Sequence, residues 1–185
     1  PHSEYSFQTS SRKTKKPVAG KLVALSNREY QLNGGWELLE GYKVRELQTS
    51  VHAPMLNTSD WDGATVPGTV LTTLVEQGVY PDPYWGLNNL LIPDTLCRMD
   101  WWYRNVFTIP QNKHGNRPKL IFNGINYRAE VWLNGKLLGN IDGAFCRGIF
   151  DISSIAKVGE ANVLAVRVIP PSNPGIPHES CRAGI

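Results

Sequence analysis

From residue 101 onward the chain alternates between short apolar runs and polar turns. The runs are WWYRNVFTI (101–109), KLIFNG (119–124), YRAEVWLNG (127–135), KLLGNI (136–141), GIFDIS (148–153) and NVLAVRVIP (162–170). WWYRNVFTI is rich in aromatic and β-branched residues and ends at Pro110. In YRAEVWLNG the residues Tyr127, Ala129, Val131 and Leu133 share one face, and Arg128, Glu130 and Trp132 share the other. Asn134-Gly135 is a strong hairpin signal, with KLLGNI as the return strand. Strands at short regular spacing, joined by turns instead of long helices, predict an all-β antiparallel sandwich or jelly roll.

The front half is less regular. KLVALS and GWELLEGYK read as strands, separated by QLNGG, and residues 46–60 read as a long loop. Between Pro67 and Pro81 the period changes. Val70, Leu71, Leu74 and Val75 form an apolar stripe at helical spacing, with Thr72, Thr73, Glu76 and Gln77 opposite. Thr69 fits the N-cap and Gly78 the left-handed terminator, so one short helix is predicted near 69–77. A helix of two to three turns is marginal alone in water and must dock its stripe.

Composition adjusts this picture in three places. The net charge of +3 is carried by residues 1–20, where Arg12, Lys13, Lys15 and Lys16 face only Glu4. The remainder is neutral, so no nucleic-acid face is implied, and residues 1–20 read as a solvated arm. No segment approaches the ~18 apolar residues of a membrane helix. Cys97, Cys146 and Cys181 are widely spaced, and His2, His52, His114 and His178 form no metal-ligand pair, so neither a metal nor a cofactor is expected. The division expected is a basic arm (1–20), a β-sandwich (21–170) and a Pro-rich linker or truncated domain end (171–185).

The stretch PDPYWGLN (81–88) concentrates the candidate chemistry. Asp82, Tyr84, Trp85, Asn88 and the adjacent Asn89 place a carboxylate, flat rings and amides in one Pro-stiffened loop. Sugars offer C–H faces that stack on rings and hydroxyls that pair with carboxylates and amides. Tyr84 and Trp85 serve equally well as a cover for the sheet. Glu130 beside Arg128 reads as a solvated or ion-paired strand residue. None of the sixteen carboxylates is marked by its context as an acid/base or a nucleophile.

Several segments, taken in order, resemble the N-terminal domain of glycoside hydrolase family 2, in its β-mannosidase and exo-β-glucosaminidase branch. They are ATVPGTVLTTLVEQGVYPDPYWGLN, DWWYRNVFTI, INYRAEVWLNGKLLGNIDGAFCRGIFDIS and NVLAVRV, spanning roughly residues 30–170. The resemblance implies a galactose-binding-like jelly roll that precedes an immunoglobulin-like sandwich and a TIM barrel. The catalytic Asn-Glu pair and the nucleophile of the family belong to the barrel, and no Asn-Glu dipeptide occurs here. By resemblance this chain is therefore a non-catalytic domain, inactive alone. The parent would be a retaining hydrolase of terminal β-mannosides or β-glucosaminides, exported to the periplasm or secreted.

Carried over residue by residue, Asp82, Trp85 and Asn88 are the expected sugar contacts or pocket wall. Tyr84 and Trp132 are further stacking surfaces, and Arg104 is an anchor for the 81–88 loop. The partners implied are a terminal β-linked sugar and the remaining domains of the parent, with no nucleic acid and no membrane. An open sheet edge would also invite a homodimer. Two other readings share the fold: a stand-alone carbohydrate-binding module, and a structural interaction domain that binds no sugar.

Overall fold

The computed structural model describes residues 20–26, 28–46, 51–53, 55–111 and 117–172. Nearly all of the basic arm, most of the 111–118 turn, three of the four histidines, Cys181 and the Pro-rich end lie outside the described residues. The strands are β1 (Lys21–Ala24), β2 (Tyr30–Asn33), β3 (Trp36–Glu40), β4 (Asp62–Gly63), β5 (Trp101–Thr108), β6 (Lys119–Phe122), β7 (Arg128–Leu133), β8 (Lys136–Asp142), β9 (Gly148–Asp151) and β10 (Ala161–Ile169). Six of them form one antiparallel sheet in the order β4-β3-β5-β10-β7-β8, while β1 pairs β2 and β6 pairs β9.

The register explains the core. Leu38, Tyr103, Val166 and Val131 stand opposite one another across four strands, and Trp101, Val168, Ala129 and Ile141 form a parallel row. These side chains make the main cluster, against which Leu22, Leu32, Leu120, Phe122 and Phe150 of the two smaller sheets pack. The protein is thus mostly β and layered, as its alternation predicted. The strand faces expected for β7 hold: Ala129, Val131 and Leu133 are buried, whereas Arg128, Glu130 and Trp132 are half-buried. Tyr127 precedes the strand and is 45% exposed. Asn134 and Gly135 both take positive φ, 49° and 86°, which a two-residue hairpin of this twist requires. Asn134 is used twice, because its side chain also accepts from Val163 N–H and donates to Asn162 Oδ1.

The outer face of the large sheet is covered as well. Leu39, Val44, Val51, Trp61 and Ala165 form a second cluster with Leu56, Trp102 and Trp132 around it. Two expectations change here. GWELLEGYK is not one strand: β3 ends at Glu40 and helix α1 (Gly41–Glu46) follows. Gly41 lies so close to the Asp100 carboxylate that a Cβ would sit 2.3 Å from it, and its N–H donates to the Asp100 carbonyl. The turn this forces brings Val44 over the sheet. QLN, read as part of a turn, is instead most of β2; two apolar residues are too few to establish a period.

Helix α2 (Val70–Glu76) forms where predicted, with the Thr69 side chain accepting from Thr72 N–H. Gly78 ends it at φ 70°, and Val79 N–H returns to Leu74 O, which closes a Schellman motif. The side expected to face water is partly buried. Thr73 Oγ1 accepts from Thr65 N–H at 3.0 Å, and Gln77 Nε2 donates to Gly63 O at 2.9 Å. The helix is therefore pinned to β4 by polar bonds as well as to the core by its stripe.

Arg104 does something other than the role expected. Its side chain is 4% exposed; Nη1 pairs with Glu37 Oε2 at 2.9 Å, Nε donates to Val51 O and Nη2 to Ala53 O. Thr58 Oγ1 donates to the other Glu37 oxygen at 2.6 Å. The anchor it provides is for the 51–61 segment over the outer face. Removing one partner of such a pair strands a buried charge. Arg104→Ala is therefore expected to cost about 3–5 kcal/mol in equilibrium urea unfolding, with Arg104→Met/Glu37→Met recovering most of it. A cost for Arg104→Ala below about 1 kcal/mol, the range of exposed pairs, would show that the clamp is not what holds this layer.

Candidate functional site

The Schellman turn at Gly78 sends the chain out of α2 into residues 81–88. This loop closes on itself. Asp82 Oδ1 accepts from Tyr84 N–H at 2.9 Å, and Asp82 O accepts from Trp85 N–H at 3.2 Å. Aspartate at the start of such a turn substitutes its side chain for a backbone acceptor. Asn88 then locks it: Nδ2 donates to Asp82 O at 2.8 Å, and its own N–H donates to Trp85 O at 3.1 Å. Pro81 is buried beneath, and Gly86 supplies a positive φ of 53°. A 3-10 turn at Asn88–Leu91 carries the chain onward.

The predicted residues fall into two groups. Asp82, Tyr84 and Trp85 lie within one turn; Asp82 and Tyr84 are exposed, the latter 96%, and Trp85 is half-buried. Asn88 belongs to the same turn but is fully buried, so what it holds is the loop. Trp132 is elsewhere, on the outer face of β7, where it stacks on His52 with ring centroids 4.8 Å apart and planes 12° from parallel. Tyr84 and Trp132 are therefore on different elements, and one face of Trp132 is already occupied. Glu130 is ion-paired, as read: Arg167 reaches Glu130 Oε2 at 3.4 Å and Asp100 Oδ2 at 2.8 Å.

Chemically, the loop presents a ring and a carboxylate on a backbone fixed by its own hydrogen bonds. That suits recognition of a ligand with apolar faces and hydroxyls. No group of three His, Cys, Asp or Glu side chains able to hold a metal occurs among the described residues. Cys97 and Cys146 are free thiols. No local sequence signal marks the apolar cleft lined by Val70, Leu96, Cys97 and Trp101, because segments far apart in the chain build it.

Two outcomes test this geometry. Asn88→Leu removes the Nδ2 donor from the Asp82 carbonyl, which keeps only Trp85 N–H, and is expected to lower stability by about 1–3 kcal/mol, whereas Tyr84→Ala should stay within about 0.5 kcal/mol. Equal losses would show that Tyr84 is part of the packing. The His52 stack gives a pH test. Burial holds the His52 imidazole below its ordinary 6.5, and Nδ1 has no partner. Above that value His52 is neutral both folded and unfolded and adds no pH dependence. Below it the unfolded chain takes the proton first, so stability falls as pH falls. His52→Gln should flatten the loss of Tm between about pH 6.5 and 5; an unchanged slope would assign the loss to other groups.

Comparisons with known proteins bear on this site. Residues 42–183 match the family described as glycosyl hydrolase 2 galactose-binding domain-like. A mannosylglycoprotein endo-β-mannosidase of Lilium longiflorum is 38% identical over 143 residues, 74% of this chain and 15% of that protein. An exo-β-D-glucosaminidase of Streptomyces avermitilis is 32% identical over 160 residues, 85% of this chain and 16% of that protein. Among solved structures, an exo-chitosanase of Amycolatopsis orientalis superimposes with a TM-score of 0.66 at 25% identity, over 86% of this chain and 17% of that one. A β-D-mannosidase of Dictyoglomus thermophilum gives 0.58 at 30% identity, over 74% and 15%. The chain thus spans about a sixth of the proteins it matches.

Proposed function

Because the chain belongs to the glycosyl hydrolase 2 galactose-binding domain-like family, we propose that it acts as the accessory front domain of a family 2 exo-glycosidase. In this reading the 81–88 loop forms one wall of the pocket for the terminal sugar. The reaction would be retaining hydrolysis of a terminal β-mannoside or β-glucosaminide, with its two carboxylates on another domain. Asp82 and Trp85, with Tyr84 beside them, would meet the sugar or line the pocket, and Asn88 would act by holding the Asp82 carbonyl. The single observation that supports this most is coverage. Relatives that match most of this chain are glycosidases in which the match occupies only about 15% of the length.

A rigid loop that touches only the terminal sugar contributes modestly to the specificity constant. In the full-length enzyme, Asp82→Ala and Trp85→Ala are each expected to lower kcat/KM for the terminal sugar by about tenfold, which is about 1.4 kcal/mol. Stability should be retained. Unchanged kinetics in both variants would remove the loop from the pocket. The size of the native polypeptide decides which assay applies: a product several-fold larger than 20.6 kDa directs the work to the parent enzyme.

A second reading is favoured by one feature, the 96% exposure of the Tyr84 ring. As a stand-alone module the domain would bind simple sugars by itself, and Tyr84→Ala or Trp85→Ala would abolish binding. A half-pocket that needs the barrel would bind them barely or not at all. A homodimer through an unpaired sheet edge is tested separately, by sedimentation of the purified chain. Strand β8, at one edge of the six-stranded sheet, is the surface it would use.

A further inference from the structure

Asn57-Thr58-Ser59 is the one Asn-X-Ser/Thr triplet of the chain with X other than proline. Such a triplet is the acceptor signal for N-linked glycans in a secretory pathway, and it serves where the asparagine can hold a bulky, hydrated group outside the fold. Residue types alone carry little, since three of this kind meet often by chance. What the fold does with the three side chains carries more.

The triplet lies in the 51–61 segment that covers the outer face of the large sheet, and side chains there alternate. Leu56 packs against the outer cluster, and Trp61 belongs to it. Thr58, between them, is turned inward. Its Oγ1 donates to Glu37 Oε1 at 2.6 Å, on the carboxylate that Arg104 clamps. Met55, Asn57 and Ser59 are left exposed. The buried clamp thus fixes which way the acceptor faces. Asn57 is also held in its own turn, because its Oδ1 accepts from Ser59 N–H at 3.1 Å. Nδ2 is the atom to which a glycan is attached, and no hydrogen bond engages it among the described residues. An N-glycan replaces one of the two Nδ2 hydrogens and spares the oxygen, so the turn persists in the modified protein. Helix α2, from which the 81–88 loop issues, packs instead on the inner cluster through Val70 and Leu74. Asn57 and that helix are therefore on opposite faces of the sheet.

We propose that Asn57 is an N-glycan acceptor of this domain. In the transfer, Nδ2 forms a bond to the anomeric carbon of a lipid-pyrophosphate-linked oligosaccharide. The bond from that carbon to the pyrophosphate oxygen breaks, the lipid pyrophosphate leaves with the electron pair, and one Nδ2 proton passes to a base of the transferase. This does not depend on what the 81–88 loop binds.

The 185-residue chain, led into the secretory pathway of a eukaryotic cell by a cleavable signal, tests it. The secreted product is read by peptide mass spectrometry before and after peptide N-glycanase, which leaves aspartate where a glycan stood. One glycan is expected, at Asn57. It should be lost in Asn57→Gln and in Ser59→Ala and kept in Ser59→Thr. If Asn57→Gln fails to fold, Ser59→Ala decides, since it leaves Asn57 in place. The Tm of the glycosylated chain should match or exceed that of the enzymatically deglycosylated one. A secreted, folded chain with Asn57 unmodified would overturn the proposal. So would a Tm that rises when the glycan is removed, because Asn57 would then be needed inside the fold.

Discussion

Burial of the β5–β10 pair on both faces is the constraint from which the rest of this structure follows. These are the two central strands of the six-stranded sheet, and their ladder runs from Ala161 opposite Thr108 to Val168 opposite Trp101. A sheet with one solvated face can send every second side chain into water. This one cannot, because Ala165 and Arg104 on its outer face are as buried as Val166 and Tyr103 on its inner face. The polar groups that point outward must therefore find partners in protein. Arg104 finds Glu37 and the carbonyls of Val51 and Ala53, and Arg167 finds Asp100 and Glu130. The 51–61 segment and α1 are the covering layer that this requirement imposes.

The candidate recognition loop is tied into the same framework through a short chain of bonds. The loop is closed by Asp82 and Asn88 and follows directly from the Schellman turn of α2. Helix α2 is held by its stripe to the inner cluster, through Val70 and Leu74, and by Thr73 and Gln77 to Thr65 and Gly63. β4 in turn pairs with β3, next to the central strands. Each link is an ordinary hydrogen bond or apolar contact. Together they fix the position of a turn that has no regular structure of its own.

This division explains what could be read from the sequence. The β7–β8 hairpin was legible because alternation and Asn134-Gly135 are local signals, each sufficient by itself. So was α2, whose cap, stripe and terminator all lie within ten residues. α1 was not legible: what ends β3 at Glu40 is the Asp100 carboxylate against Gly41, a contact across 59 positions. The role of Arg104 was missed for a similar reason, since its partners come from β3 and from a segment without periodicity. In the loop, residue types suggested Asp82, Tyr84, Trp85 and Asn88 together. The fold separates the exposed ring from the buried amide, because both outcomes suit the same composition. The apolar cleft beside Trp101 has no local sequence signal.

The loop's internal bonding also bears on what kind of contribution it can make. A flexible loop spends part of any contact energy on ordering its own side chains and backbone, roughly 0.5–1.5 kcal/mol per immobilised side chain. Here Asp82 already accepts from Tyr84 N–H, and Asn88 already holds the Asp82 carbonyl. Most of the backbone cost has been met by folding. A contact from Asp82 or Trp85 would then appear almost undiminished in affinity, so one small turn would matter in the role proposed for it. The same rigidity limits it. In the proposed role, a wall fixed before the sugar arrives could not follow the sugar as it distorts. In that role it would strengthen substrate and transition state alike and leave the chemical step to groups that move with the reacting atoms.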